Sequence, residues 1–96
     1  MSDTIRVVEI GHTRSSTRHR ISRKRSRYVV ESTSVIFKEN APKDSPLKDP
    51  RFVFLGPDED GELLEVMAIE NDSGGLLIIH AQRIRDRYMD LLKGGL

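Results

Sequence analysis

Ninety-six residues hold one domain and not two, since a chain this short buries only about 60–65% of its unfolded surface around a single core. Cysteine is absent, which excludes disulfide staples and thiolate metal sites and points to a reducing compartment. The net charge of +1 conceals two blocks. Between His12 and Arg27 lie seven basic side chains (Arg14, Arg18, Arg20, Arg23, Lys24, Arg25, Arg27) and no acid; between Asp58 and Asp72 lie seven acids and no base. Such an arrangement is expected to draw a polyanion to one end of the molecule and repel it from the other.

In chain order, Thr4 to Ile10 is β-branched and ends at Gly11, which predicts a first strand. Nothing in Met1 to Ile10 resembles an export leader, and the longest apolar run, Leu76 to Ile79, is far short of a membrane span; the expectation is a soluble, cytoplasmic protein. His12 to Arg20 lacks Gly and Pro but is rich in Ser and Thr, and is read as a short helix. Ser22 is a natural N-cap for a second helix reaching Glu31, with Ile21, Tyr28 and Val29 along one side. Val35-Ile36-Phe37 reads either as a strand or as the end of the helical layer. Three prolines between Lys38 and Pro50 forbid regular structure there and predict a loop. Three strand-like runs follow, Arg51 to Gly56, Leu63 to Glu70 and Leu76 to His80. They are separated by Asp60-Gly61 and by Asn71-Asp72-Ser73-Gly74-Gly75, both turn-forming, so an antiparallel meander is expected. The chain closes with a helix from Gln82 to Lys93, whose Ile84, Tyr88, Leu91 and Leu92 share one stripe before Gly94. The predicted architecture is a single α+β domain over residues 1–96, ordered βααβββα, with helices on one face of a mainly antiparallel sheet.

Sharp catalytic motifs are missing: there is no phosphate-cradling glycine loop, nucleophile elbow or HExxH. Two helical turns would hold His12 and His19 about 10 Å apart, too far for one metal ion, so neither metal nor cofactor is expected. What remains is His80, at the end of the most apolar strand, followed by Arg83, Arg85, Arg87 and Tyr88. A helix starting there would turn free N–H groups toward an anion. Metal-free RNA cleavage needs a base for the 2′-OH, cations for the phosphorane and an acid for the leaving 5′ oxygen. On that reading His80 serves as acid or base, Arg83 and Arg85 stabilise charge, and Tyr88 donates a proton or stacks on a base. The plainer reading makes His80 a hydrogen-bonded strand residue, Tyr88 part of the core, and Arg83 and Arg87 a solvated face beside Asp86 and Asp90.

The segments His12, then Arg18-His19-Arg20-Ile21-Ser22 opening a helix that ends Tyr28-Val29-Val30-Glu31, resemble the small bacterial type II toxins of the BrnT-like group in the RelE/ParE superfamily. Phe52-Val53-Phe54-Leu55-Gly56, the Asp-Gly hairpin, Leu64-Glu65-Val66 and Ile78-Ile79-His80-Ala81 with Arg83, Arg85 and Tyr88 are similar to that group's closing strands. Arg20 stands where the group carries glycine, Lys24 and Arg25 where acids are common, Ser26 where an aliphatic is expected and Gln82 where methionine is frequent. The resemblance implies a RelE-like toxin, a hydrolase that cleaves RNA (mRNA, on or off the ribosome) to arrest translation and is silenced by a cognate antitoxin, with operator DNA reached only through that antitoxin. Its recurrent polar positions fall on His12, His80, Arg83 and Tyr88. The basic block of Arg14, Arg18, His19, Arg20, Arg23, Lys24, Arg25 and Arg27 is then the surface shared by RNA and antitoxin. The alternative is a toxin-fold binding module that grips nucleic acid or a topoisomerase without cutting.

Overall fold

The turn chemistry is what lays out the sheet in the computed structural model, which describes residues 9–94. Asp58 caps the first hairpin turn by accepting from the backbone N–H groups of Asp60 and Glu62, with Gly61 at φ +91°. Asn71 does the same in the second, accepting from Ser73 and Gly75 with Gly74 at φ +87°. Between and around these turns run β3 (Arg51–Pro57), β4 (Leu63–Glu70) and β5 (Leu76–Arg83), paired antiparallel as the two turn sequences predict.

Two short strands complete a five-stranded sheet in the order β1-β5-β4-β3-β2. β1 (Ile10–His12) runs parallel to β5, and β2 (Val35–Glu39) antiparallel to β3. The patch at Val35 to Phe37 is thus a strand, held at its start by Thr33, whose hydroxyl donates to the Leu55 carbonyl and accepts from the Val35 N–H. Most of the first predicted strand lies outside the described residues. The helix expected over His12 to Arg20 is a single 3-10 turn, Arg14–Thr17: its Ser and Thr hydroxyls bond back to nearby carbonyls, Ser16 to Thr13 and Thr17 to Arg14, in competition with a longer helix. The order is therefore β-α-β-β-β-β-α, with one strand more and one full helix fewer than expected.

Helix α1 (Arg23–Ser32) begins where Ser22 predicts, the Ser22 hydroxyl accepting from the Arg25 N–H. Its buried side is Ser26 and Val29, continuing the line of Ile21; Tyr28, expected on that stripe, is 39% exposed. Helix α2 is Asp86–Gly94, starting four residues later than expected because β5 continues through Ala81, Gln82 and Arg83 to pair with Leu64 to Val66. Within α2, Tyr88 is buried, Leu92 is partly so, and Leu91, expected beside them, is 45% exposed.

The helices do not share a face. Ile21 and Val29 pack on Phe54, Leu64, Val66, Ala68, Ile78 and Ala81, whereas Tyr88, Ile84 and Leu92 pack on Val53, Leu55 and Met67 from the opposite side. The expectation of a one-sided layer fails because β3 and β4 are apolar at successive positions and so need cover on both faces. Each large aliphatic buried this way contributes about 1.5–3 kcal/mol.

Candidate functional site

Strand β5 carries an irregularity that decides where its polar residues point. Met67 pairs with His80 and the next residue, Ala68, pairs with Ile78, leaving Ile79 as an extra residue. This β-bulge breaks the alternation that would put Ile78 and His80 on one face. Ile78 packs under α1; His80 is turned to the α2 face, beside Met67 and Glu65. His80 lies in mid-strand, so the helix N-terminus expected to follow it directly is not there.

Glu65 is the centre of this face. It is 0% exposed, and four contacts answer its charge: Arg85 Nε at 2.9 Å, Arg85 Nη2 at 2.6 Å, the Arg85 backbone N–H at 2.9 Å and His80 Nε2 at 3.2 Å. Burial alone would raise this carboxyl, but the hydrogen bonds from His80 and Arg85 and the Arg85 charge outweigh it and hold the group at about 2. An ionised carboxylate only accepts, so His80 donates from Nε2, and in the neutral imidazole that leaves the lone pair on Nδ1. The two residues form a dyad in which a buried carboxylate fixes the orientation and tautomer of an imidazole.

The dyad opens into a groove of about 760 Å³ whose walls include Ser15, Arg18, Glu39, Arg51, His80, Arg85, Arg87 and Tyr88, with Pro42, Ser45, Pro46 and Leu47 from the proline loop. His19 meets the His80 ring edge-on, with centroids 5.4 Å apart. A shallower cup of about 330 Å³, lined by Arg18, His19, Arg20, Gln82 and Arg83, lies against the groove and shares Arg18 with it.

Several expected roles change on this geometry. Arg85 enters the groove, but its guanidinium is occupied by Glu65, which makes it a positioning residue. Arg83 is not beside His80; it lies at the cup and pairs with Glu62. Tyr88 is 2% exposed, its ring lies under the Arg87 guanidinium at 4.6 Å, and its hydroxyl donates to Glu39 at 2.7 Å. It offers no free stacking face, and burial with the hydrogen bond to Glu39 raises its phenol to about 12, so it keeps its proton. His12 lies across the sheet, in register with Ile78 under α1 and 3.3 Å from the Ser26 hydroxyl. Burial first, then the charges of Arg23 and Arg27, lower its basicity.

The basic block divides as well. Arg25 donates to Asp58 at 2.8 Å and to Glu62 at 2.6 Å; Lys24 approaches Glu59 at 3.8 Å; Arg27 pairs with Glu31 at 3.1 Å. The acidic block therefore folds against the basic one instead of standing apart from it. Among the described residues, Arg14, Arg18, Arg20 and Arg23 have no carboxylate within 4.0 Å.

Glu65, Glu39 and Arg51 are the site residues that sequence reasoning missed, and Arg87 carried no role there beyond a solvated face. A signal existed for Glu65: it interrupts an apolar run, Leu64-Glu65-Val66-Met67, at a position the sheet buries, and a buried carboxylate needs a partner. Among the described residues no three His, Asp or Glu side chains converge as a metal site requires, and no helix is long and apolar enough to cross a membrane. No protein-family model, curated protein or solved structure matches the chain.

Proposed function

We propose that the protein is a metal-independent endoribonuclease whose base is His80. The observation that carries this reading is the Glu65–His80 dyad: a carboxylate held ionised by Arg85, orienting an imidazole at the wall of a groove that cations line. His80 Nδ1 takes the proton of a ribose 2′-OH and the 2′ oxygen attacks the adjacent phosphorus. The 5′ oxygen then leaves with a proton from His19, giving a 2′,3′-cyclic phosphate and a 5′-OH end. Arg18 lines both the groove and the cup that holds His19, and there it meets the charge that builds on the phosphorane. The toxin role, and a cognate antitoxin that covers the same groove and the arginines Arg14, Arg18, Arg20 and Arg23, rest on the sequence resemblance.

The test is incubation of the purified protein with end-labelled single-stranded RNA in EDTA. Cleavage that leaves cyclic phosphate ends, that a 2′-deoxy residue at the scissile position blocks and that His80→Ala abolishes is the expected result. RNA bound but left intact by wild-type protein would replace the enzyme with a non-catalytic binding module.

A further inference from the structure

Arg51 is a buried charged group on the α2 face that, among the described residues, has no counter-charge. It is 8% exposed; its Nη2 donates to the carbonyl oxygens of Leu47 at 3.0 Å and Asp49 at 3.4 Å, and its buried Nε has no partner. Among the described residues no carboxylate lies within 4.0 Å of it. Its cross-strand neighbour, Glu39, gives its oxygens to Tyr88 and Arg87 instead. Buried charges are ordinarily paired, because an ion removed from water without a counter-charge is costly. Glu65, on the same face, shows that pattern: every part of its charge is met. Arg51 departs from it at a place where a ligand can reach, since it lines the groove that also holds His80. Its Nε is itself enclosed, so an anion that arrives from solution meets the guanidinium from the groove side, at a cation with no counter-charge beside it.

We infer that Arg51 seats a backbone phosphate of single-stranded RNA, separate from the phosphate at which the strand is cut. Val53, Met67 and His80 are in register across β3, β4 and β5, and Arg51 lies two residues before Val53. Arg51 and His80 are therefore two strand spacings apart across the sheet and two residues apart along it, roughly 12 Å in all. That is the separation of their Cα atoms; it accommodates two successive phosphates of one strand, and the KM-against-kcat split below tests that assignment. The proline loop helps to build the seat, because its Leu47 and Asp49 carbonyls fix the guanidinium and its Pro42, Ser45 and Pro46 form the adjoining wall. Assigning the anion to RNA rests on the ribonuclease reading above; the vacant donor does not.

The experiment compares wild type with Arg51→Met and Arg51→Lys, using an all-2′-deoxy oligonucleotide of eight residues that cannot be cleaved. Arg51→Met should melt at or above the wild-type temperature, because an unpaired buried charge has been removed, and should bind the oligonucleotide about tenfold more weakly. Arg51→Lys, which keeps charge without the fork, should fall between. With cleavable RNA, Arg51→Met should raise KM and leave kcat within about threefold, the pattern of lost uniform binding. Unchanged oligonucleotide affinity in Arg51→Met, with a lower melting temperature, overturns the proposal and makes Arg51 structural. Should Arg51→Met fail to fold, the Arg51 Nε–H resonance of wild-type protein decides: it should shift on titration with orthophosphate, and a resonance that stays put overturns the proposal. Wild-type protein that cleaves nothing yet binds the oligonucleotide through Arg51 sinks the ribonuclease reading and supports the phosphate seat. A polyglutamate peptide that binds through Arg51 while the oligonucleotide does not assigns the seat to a protein carboxylate and overturns it.

Discussion

The two faces of the sheet handle charge in opposite ways. On the α1 side the chain's most conspicuous cations are met by its most conspicuous acids: Arg25 by Asp58 and Glu62, Arg83 by Glu62, Lys24 by Glu59. On the α2 side there are fewer charges, and they are unevenly satisfied: buried Glu65 is fully answered and buried Arg51 is not. Abundance of charge in a sequence therefore says little about which charges are free for a ligand. Acids and bases that can find each other at the surface become part of the scaffold, while a buried group that finds no partner stays available.

Substitutions on each face should separate these roles. The largest effect belongs to His80→Ala, which should lower RNA cleavage by about 10²- to 10⁴-fold, while His12→Ala, on the other face, should leave the rate within about threefold; steady-state rates on labelled RNA measure both. Replacing Glu65 by Gln comes next. Its carboxyl is depressed from 4.5 to about 2, so its contribution is complete above pH 4.5 and is lost as pH falls through 2. Urea unfolding at pH 7 should therefore show Glu65→Gln less stable than wild type by on the order of 3 kcal/mol, and the gap should close toward pH 2. Convergence at neutral pH instead would mean that Glu65 is not the ionised centre of this face.

Arg25→Met should lower the melting temperature with RNA affinity unchanged within about twofold, as expected of a cation already committed to Asp58 and Glu62. Arg18→Ala should do the reverse, leaving the melting temperature alone and reducing the salt dependence of RNA binding by about one counterion. The smallest effect is expected at Arg20, which adopts φ +65°. Glycine there removes the left-handed strain at some cost in unfolded-chain entropy, for a net gain of about 0.5 kcal/mol by thermal unfolding.

Local chemistry made much of the fold legible. Ser22 announces α1, Asp-Gly and the Asn71 to Gly75 turn delimit the meander, and the apolar run Phe52 to Leu55 marks a strand. What stayed hidden depends on partners distant in sequence. Ala81-Gln82-Arg83 is strand because Leu64 to Val66 lies beside it, although the spacing of Ile84, Tyr88 and Leu92 invites an earlier helix start. Glu65 and Arg85 stand 20 residues apart, and Tyr88 and Glu39 stand 49 apart, so no local pattern joins them. His80 and Tyr88 were recognisable as polar residues of the closing segment, but their environments were not: one is oriented by a carboxylate from the neighbouring strand, the other is packed beneath Arg87.

The extra residue at Ile79 acts as a phase shift in the strand. Before it, even-numbered positions face α1; after it, odd-numbered ones do, as Ile78 and Ala81 show. The same residues paired without the bulge would keep their hydrophobic composition, both turns and every charged group, yet would send His80 toward the crowded underside of α1 and bring Ala81 toward Glu65. The chemistry of the groove is thus encoded as much by register as by residue identity, and a chain lacking residue 79 should still turn His80 to the groove, from a regular strand.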